Sequence, residues 1–413
     1  MALENKHIFI LGTAKFDGPY ESTSYTVAKY LAKNNKVYYI ENPYTWKDYF
    51  REKGQESFNR RKDYFKSSSD GLLSTSIPNL KIVITPPLLS INFLPEGFIY
   101  RQILKINEAI IAERIKKINK QQGVKEFIYI NSFNFHYPNI ADLTKPALSV
   151  YQCVDPLIID FDLKHGTTSE PIVVKKSDLV VCTSKQLFRE KKEVNPSTYF
   201  VANAADISHS SKALDENLKV HPQVDAIPSP RIGYFGNVER RMDFPLIQEV
   251  AKANPDKNFV FVGPVSPEFI PDWFYKTPNI HLIGRQPYDL MPSIIKGFDI
   301  AMIPFKKDDV SATIFPLKLF EYLGAGKPVV ATDFNPDLKE FTQDVVEYCA
   351  DSASFTAAIK KELQANEAMQ IERRLKIAEE NTWDNRLKGF SELLATYLVK
   401  RTSQDLKNIY HVY

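Results

Sequence analysis

The chain has 413 residues, too many for one ordinary hydrophobic core, so two domains of roughly 200 residues each are expected. Hydrophobic residues make up 44% and charged residues 25%, which is typical of globular proteins. The net charge of +3 argues against a dedicated nucleic-acid binder. Cys153, Cys182 and Cys349 show neither metal-ligand spacing nor a disulfide framework, which favours a reducing, cytosolic compartment.

The N-terminal part of the chain begins with an α/β pattern. A short apolar strand over 7–12 leads into a glycine-bearing loop over 13–20, and a helix over 22–34 and a second strand over 36–41 follow. The opening apolar run is too short for a signal peptide or a membrane span. A long amphipathic helix is predicted over 97–120. Its apolar stripe consists of Ile103, Ile106, Ile110, Ile111, Ile115 and Ile118. Further strands are predicted over 126–130, 147–153 and 179–183, with a strand and turn over 199–206.

Residues 46–66 are irregular in pattern, aromatic and basic, from Trp46 to Lys66. This composition has two interpretations. Positive charge together with interfacial aromatic residues favours contact with a membrane surface that holds a lipid-linked acceptor. A mobile, solvated loop would have the same composition.

The polar segment 208–230 contains three prolines and neither hydrophobic period, so it is predicted to link two domains over 1–207 and 231–383. Residues 384–413 are expected to return to the first domain. The second domain repeats the βαβ pattern, with strands over 231–235, 259–262, 280–283 and 299–304 and helices over 244–253 and 289–296. Two successive series of this kind predict two doubly wound domains that face each other across a cleft.

The most informative segment is a strand, helix and strand over 300–333. Apolar runs over 300–305 and 328–333 have strand length. Between them, Pro316 suits the first turn of a helix, and the glycine at 324 or 326 suits its C-terminal cap.

The N-terminus of this helix is expected beside the carboxyl end of a strand, where backbone N–H groups and the helix dipole favour phosphate. Lys318 lies in the first turn and Glu321 one turn later on the same face. A cation for phosphate and a carboxylate for ribose hydroxyls are therefore expected side by side.

Several segments match a known family. In the C-terminal half they are GYFGN (233–237), FVFVGP (259–264), NIHLIGRQPYDLMP (279–292), FDIAMIPF (298–305) and PLKLFEYLGAGKPVVATD (316–333). Looser matches are YQCVDP (151–156), SDLVVCTS (177–184), ANAAD (202–206) and NTWDNR (381–386). With these segments the chain resembles the retaining family-4 glycosyltransferases of GT-B fold. It is most similar to the envelope-polysaccharide branch that includes teichuronic acid glycosyltransferases.

This resemblance implies an α/β fold of GT-B type, with two Rossmann-like domains and a C-terminal helix that crosses back to the first. It implies a nucleotide-sugar donor in the C-terminal domain, a glycan or polyprenyl-linked acceptor in the N-terminal domain, and retention at the anomeric carbon. No cofactor and no metal are expected, so protein cations and helix dipoles have to neutralise the departing diphosphate. The expected location is the cytoplasm, at the inner face of the plasma membrane.

The resemblance also assigns roles to residues. Arg241 and Lys318 are expected to bind the diphosphate, and Asp155 to orient an acceptor hydroxyl or take its proton. Asp155 also has an ordinary interpretation as a turn residue before proline, and Lys318 as a surface lysine. The donor-binding residues implied are Gly12, Gly236, Asn237, Arg240, Gly284, Arg285, Thr313, Pro316, Leu317 and Glu321. His136 and Glu170 are weaker candidates for the acceptor side.

The sequence departs from the family pattern at two places. The first glutamate of the paired-glutamate motif falls at Thr313, which offers a hydroxyl but no carboxylate. The lysine that usually follows Arg241 is absent, and Lys318 is expected to compensate. Two alternatives therefore stay open: a non-catalytic subunit that binds nucleotide or glycan, and a nucleotide-sugar epimerase or hydrolase.

Overall fold

The computed structural model describes residues 3–18, 22–364 and 368–410, with side chains as far as Arg401. It divides into two compact units. The first comprises Met1–Ala202 and Leu387–Tyr413, and the second comprises Asn203–Arg386. Residues 208–230, predicted to be a linker, are therefore part of the second unit, where about half of them lie in short helical turns.

A mixed eight-stranded sheet forms the centre of the first unit. Its strands are β1 (His7–Leu11), β2 (Lys36–Ile40), β3 (Leu72–Ser74), β4 (Leu80–Val83), β5 (Ile128–Ser132), β6 (Leu148–Cys153), β7 (Leu179–Cys182) and β8 (Thr198–Phe200). Their order across the sheet is β3-β4-β2-β1-β5-β6-β7-β8. Only the β3–β4 pair is antiparallel within this described sheet. The parallel strands are almost continuously apolar because helices cover both faces of such a sheet.

Seven α-helices lie within the described residues up to Ala202. They are α1 (Thr23–Leu31), α2 (Trp46–Arg51), α3 (Glu56–Asn59), α4 (Phe98–Gln122), α5 (Ile140–Thr144), α6 (Asp160–Lys176) and α7 (Lys185–Val194). Local sequence sets their ends. The Ser22 hydroxyl caps α1 by accepting from the Tyr25 N–H (3.2 Å), and Gly123, with φ of 64°, ends α4.

A six-stranded parallel sheet forms the centre of the second unit. Its strands are β9 (Arg231–Phe235), β10 (Asn258–Val262), β11 (Ile280–Gly284), β12 (Ile300–Ile303), β13 (Val329–Thr332) and β14 (Val346–Cys349). They lie in the order β11-β10-β9-β12-β13-β14. The helices that follow are α8 (Ile207–Ser210), α9 (Pro222–Asp225), α10 (Phe244–Ala253), α11 (Asp272–Lys276), α12 (Met291–Lys296), α13 (Leu317–Gly324), α14 (Leu338–Thr342), α15 (Ser352–Gln364), α16 (Ala368–Glu380) and α17 (Trp383–Tyr410). Strand order changes direction beside β9, so the carboxyl ends of β9 and β12 form a topological switch point, where open α/β sheets bind ligands.

Helix α17 begins in the second unit and continues into the first. Leu387, Phe390 and Leu394 are buried, and the Ser391 hydroxyl accepts a hydrogen bond from the Leu3 N–H (3.3 Å). The helix therefore completes the hydrophobic core of the first unit from the far end of the sequence.

The buried face of α4 differs from the predicted apolar stripe. Ile106, predicted to be in the core, is 51% exposed, whereas Asn107, Glu108 and Arg114 are buried. Each of these polar residues has a specific partner: Asn107 binds both backbone groups of Leu89 (2.8 and 3.0 Å). A buried polar group with its hydrogen bonds made is tolerated, so the apolar pattern alone did not identify the buried face.

Residues 46–66 form a folded element instead of a solvated loop. The rings of Tyr49, Phe58 and Phe65 pack edge to face or tilted, with centroids 4.9–5.6 Å apart. Arg61 is fully buried, and its Nη2 binds Glu41 (2.8 Å) and Asp17 (2.6 Å). Arg61 therefore fastens the loop after β1 to this segment, while the other basic residues of the segment are exposed.

Candidate functional site

Glycines occupy the carboxyl ends of three adjacent strands in the second unit. The Gly236 N–H donates to the Val262 carbonyl (2.8 Å), and the Gly263 N–H donates to the Gly284 carbonyl (2.9 Å). A Cβ at Gly263 would lie 2.0 Å from the Gly236 oxygen, and its φ of 151° also disfavours other residues. The strand ends therefore approach each other closely.

Lys318 extends from the first turn of α13 toward the end of β9. Its Nζ donates to the Tyr234 hydroxyl (2.7 Å) and lies 4.0 Å from the Tyr234 ring centroid and 5.4 Å from that of Phe305. A Cβ at Gly236, where φ is 148°, would lie 2.3 Å from this nitrogen. The residue as a whole is half-buried, while its ammonium group is enclosed by rings and backbone.

This enclosure changes the charge state of Lys318. Burial, together with the nearby Arg241 charge, lowers the pKa of Lys318 to about 7, although Glu321 and Glu239 oppose that shift. Keeping a buried lysine charged next to a second cation costs free energy unless an anion lies close to it. The arrangement is therefore typical of a site that binds negative charge.

Arg241 supplies the second cation of this cluster. Its guanidinium lies 5.8 Å from the Phe305 ring centroid, and its Nε pairs with Glu239. Arg240 is half-buried and pairs with no carboxylate in the described part of the chain. The loop after β9 thus brings Arg241 close to Lys318 and adds Glu239 to the cluster.

Glu321 lies one turn beyond Lys318 and has a different partner. The Tyr288 hydroxyl donates to its Oε1 (2.6 Å). The His209 ring stacks on Tyr288, with centroids 4.7 Å apart and planes at 24°, and its Nε2 lies 3.0 Å from the Tyr288 carbonyl. Sequence reasoning missed Tyr288 and His209, although Tyr288 lies within the matching segment 279–292.

The remaining predicted donor residues lie around α13 and the strand ends. Pro316 is the N-cap residue of α13 instead of a first-turn residue, and Leu317 begins the helix. Thr313 is buried, and its hydroxyl donates to the Val310 carbonyl (2.6 Å). Its proton is therefore already engaged, and a donor-sugar contact through Thr313 stays a prediction.

Asn237 and Arg285 have exposed side chains in the loops that follow β9 and β11. The Asn237 carbonyl accepts from the Tyr234 hydroxyl (3.0 Å), which ties the loop to the residue that also binds Lys318. Gly284, with φ of 80°, ends β11 directly before Arg285. A donor-binding role for these residues stays a prediction.

Two predicted residues belong to the first unit. Asp155 is exposed and lines a cavity of about 830 Å³, all of whose lining residues belong to that unit. Gly12 is buried, and a Cβ there would lie 2.3 Å from the Tyr39 hydroxyl, so packing inside the unit explains this glycine.

His136 and Glu170 also belong to the first unit. The His136 Nε2 lies 3.3 Å from Asp162 Oδ1, and both residues line the cavity. Glu170 is buried and binds the Tyr151 hydroxyl (2.8 Å) and the Lys191 ammonium (2.7 Å). Glu170 is therefore part of a buried structural network and does not line this cavity.

Two features are absent from the described residues. No group of three or more His, Cys, Asp or Glu side chains there could hold a metal ion. In the same residues, no helix is both long and apolar enough to cross a bilayer. That the transfer of a sugar needs no metal ion stays a prediction.

The comparison with protein families decides the class. Residues 229–365 match the family model described as glycosyl transferases group 1. The second unit carries a glycosyltransferase domain. The chain is also 27% identical, over 270 residues, to a Bacillus subtilis (strain 168) protein named as a teichuronic acid biosynthesis glycosyltransferase, TuaH. That match spans 60% of this chain and 67% of the relative. The predicted family resemblance and the prediction of a glycosyltransferase are thereby confirmed.

Solved structures confirm the GT-B fold. Anabaena Alr3699/HepE in complex with UDP superposes with a TM-score of 0.61 at 13% identity, over 95% of this chain and 100% of that one. The α,α-trehalose 6-phosphate synthase of Burkholderia multivorans gives a TM-score of 0.65 at 9% identity, over 97% and 98%. At these identities the likeness describes the fold alone.

Proposed function

We propose that this glycosyltransferase moves a sugar from a nucleotide-diphosphate donor to a glycan or polyprenyl-linked acceptor, with retention, in the synthesis of a cell-envelope polysaccharide. The observation that carries the donor assignment is the enclosed ammonium of Lys318, which lies beside Gly236 and close to the charge of Arg241. The UDP complex of HepE and the name of the Bacillus relative support the same substrate class.

In the proposed reaction the bond between the anomeric carbon and the diphosphate oxygen breaks while the acceptor oxygen bonds to the same face of that carbon. The acceptor proton passes to the departing phosphate oxygen, so no covalent sugar–enzyme intermediate is needed. Lys318 and Arg241 stabilise the charge that develops on the diphosphate, and stabilisation of this kind is usually the largest contribution to catalysis. Glu321 binds the ribose hydroxyls, and Tyr288 orients its carboxylate.

The acceptor is proposed to bind in the cavity of the first unit. Asp155 and the His136–Asp162 pair line it together with aromatic side chains such as Phe133 and Phe161. Carboxylates suit sugar hydroxyls as hydrogen-bond acceptors, and aromatic faces suit the apolar faces of sugar rings. Reaction on the cytoplasmic side of a membrane is part of this proposal.

The test is incubation of the purified chain with UDP-, GDP- and dTDP-sugars, with and without candidate acceptors. Release of nucleoside diphosphate that depends on acceptor, with an α-configured product from an α-configured donor, is expected. Release into water alone would indicate a hydrolase, and an altered sugar on the recovered nucleotide would indicate an epimerase. Nucleotide binding without turnover on the panel would favour the non-catalytic subunit. An inverted anomeric product would contradict retention.

A further inference from the structure

Three elements of the second unit form a closed ring of contacts that includes Glu321. Helix α8 packs against the C-terminal end of α13, where a Cβ at Gly324 would lie 2.7 Å from the Ser210 hydroxyl oxygen. Helix α13 carries Glu321, which binds Tyr288 in the loop after β11. That loop contacts α8 again through His209. The Glu321 carboxylate is therefore held both through its own helix and through Tyr288.

His209 contacts both the side chain and the backbone of Tyr288. The two rings stack with their centroids 4.7 Å apart and their planes at 24°. The His209 Nε2 also lies 3.0 Å from the Tyr288 carbonyl oxygen. Because a carbonyl oxygen can only accept, the proton of this hydrogen bond is on Nε2. One side chain thus limits the movement of the tyrosine ring and holds the backbone that carries it.

The exposure of Tyr288 gives this support a physical purpose. Tyr288 is 39% exposed, and an exposed side chain on a loop has rotamer freedom that is lost when it is ordered around a ligand. A group that is already ordered in the free protein lowers this cost of binding. Stacking and the hydrogen bond from His209 therefore orient Tyr288 before a nucleotide binds.

The orientation of Tyr288 is passed on to the carboxylate of Glu321. The Tyr288 hydroxyl donates to Glu321 Oε1 over 2.6 Å, and a hydrogen bond to an ionised carboxylate is stronger than one between neutral groups. The last torsion of a glutamate side chain has only broad preferences of its own. An external donor is therefore needed to fix the plane in which the two carboxylate oxygens lie.

We infer that His209 is a positioning residue of the donor site: it orients Tyr288, and Tyr288 orients the Glu321 carboxylate toward the ribose hydroxyls. His209 acts through Tyr288 and does not contact the nucleotide. The inference rests on the proposed function in one respect, the contact between Glu321 and the ribose. The contacts that carry it all lie within the second unit.

Packing of α8 does not by itself account for His209. This short helix is held on α13 by Ser210, which is fully buried. Its N-terminus is capped by the Asp206 side chain, which accepts from the Ser208 N–H (3.0 Å). The His209 side chain is only half-buried and contacts the loop after β11. Loss of the imidazole should therefore act on Tyr288 and leave α8 in place.

A neighbouring contact between the same parts of the chain provides a matched control. The Gln286 side-chain amide donates to the Gln223 side-chain oxygen (3.0 Å). This bond joins α9 to the loop after β11, two residues before Tyr288, and involves neither of the stacked rings. Gln223→Ala therefore removes a hydrogen bond to the same loop and leaves the contacts of Tyr288 with His209 and Glu321 intact.

The experiment is calorimetric titration of the full chain with UDP and with 2′,3′-dideoxy-UDP, which lacks both ribose hydroxyls. His209→Ala should weaken binding of UDP by about three- to fivefold, the effect of about one neutral hydrogen bond. It should leave binding of the dideoxy nucleotide unchanged, which also shows that the variant is folded. Gln223→Ala should bind both nucleotides like the original chain.

A double-mutant cycle separates positioning from general packing. Once Glu321→Ala has removed the carboxylate, adding His209→Ala should cause no further loss of UDP affinity, because residues that act through one another are not additive. Additive losses, or equal losses for UDP and the dideoxy nucleotide, would overturn the inference. Unchanged discrimination between the two nucleotides by His209→Ala would also overturn it.

Failure of the proposed function would be visible in other samples of the same experiment. Equal discrimination by the original chain and by Glu321→Ala would show that Glu321 does not bind the ribose, and the role of His209 would be refuted with it. If those two samples differ as expected, a negative result with His209→Ala refutes the positioning role alone.

Discussion

At the scale of single residues, the protonation of Lys318 governs the proposed donor site. Its pKa of about 7 in the free protein should rise when a diphosphate binds, because a nearby anion favours the charged form. Affinity for UDP should therefore be full below pH 7 and should fall as pH rises from 7 toward the pKa of the complex, by up to about tenfold per pH unit. Calorimetry at several pH values, in buffers of different ionisation enthalpy, should detect proton uptake on binding.

The variant Lys318→Met provides the control for this titration. It should bind UDP weakly, with little dependence on pH between 6 and 9. Affinity of the original chain that stays constant over the same range would show that Lys318 does not bind the phosphate.

Glu321 should contribute to nucleotide affinity through the ribose. The change Glu321→Ala removes a charged hydrogen-bond acceptor and should weaken UDP binding by about tenfold or more. Tyr288→Phe removes only the group that orients the carboxylate (2.6 Å away) and should have a smaller effect. The decisive comparison is with 2′,3′-dideoxy-UDP. The original chain should discriminate against it, and the Glu321→Ala variant should not; equal discrimination by both would rule out the ribose contact.

Arg241 should act on the departing diphosphate. The change Arg241→Ala should lower turnover by at least about tenfold, because a charge that stabilises the transition state is lost. Arg240→Ala is the matched comparison, since it removes an equal charge from the neighbouring position. A turnover that Arg241→Ala leaves unaltered would exclude this residue from the mechanism.

At the scale of elements, the buried Arg61 should stabilise the segment 46–66. Arg61→Met would leave Glu41 buried without its cation, although burial already raises the pKa of that carboxyl. The expected loss is about 3–5 kcal/mol in the free energy of unfolding. Arg60→Met, which removes a partly exposed partner of the same Asp17, should cost less than about 1 kcal/mol. Urea unfolding measures both, and equal costs would contradict the structural role.

Several elements could be predicted from sequence because local signals determine them. Helix α10 has the predicted bounds, since the Asp243 side chain caps it by accepting from the Leu246 N–H (3.1 Å). Strand β9 also has its predicted bounds. In contrast, the segment 46–66 folds through partners distant in sequence, such as Asp17 for Arg61, and no local pattern reports those.

The candidate site could also be predicted only in part. Arg241 follows β9 and Lys318 lies on the helix after β12, and the βαβ pattern makes these two strands neighbours. The two residues could therefore be placed together from sequence. The contact of Tyr288 with Glu321 joins residues 33 positions apart and depends on how the loop after β11 folds. The engaged hydroxyl of Thr313 depends on a short helical turn that its sequence does not signal.

At the scale of the whole molecule, α17 should be needed for the stability of the first unit. A chain that ends at Arg386 loses the buried side chains of Leu387, Phe390 and Leu394, each worth about 1.5–3 kcal/mol. The first unit should then unfold at a much lower temperature, while the second unit keeps its UDP affinity. A chain that ends at Arg401 is the control and should behave like the original. Calorimetric unfolding and UDP titration test this, and unchanged unfolding of the shorter chain would contradict it.

The crowded glycines at the ends of β9 and β10 limit how this enzyme can be altered. A methyl group at position 263 or 236 would collide with the Gly236 oxygen or the Lys318 nitrogen, at 2.0 and 2.3 Å. Changes that redirect the choice of donor are therefore confined to neighbouring loops, over 237–241 and 285–290. A mutant library that randomises those loops and retains both glycines should yield far more folded clones than one that varies the glycines.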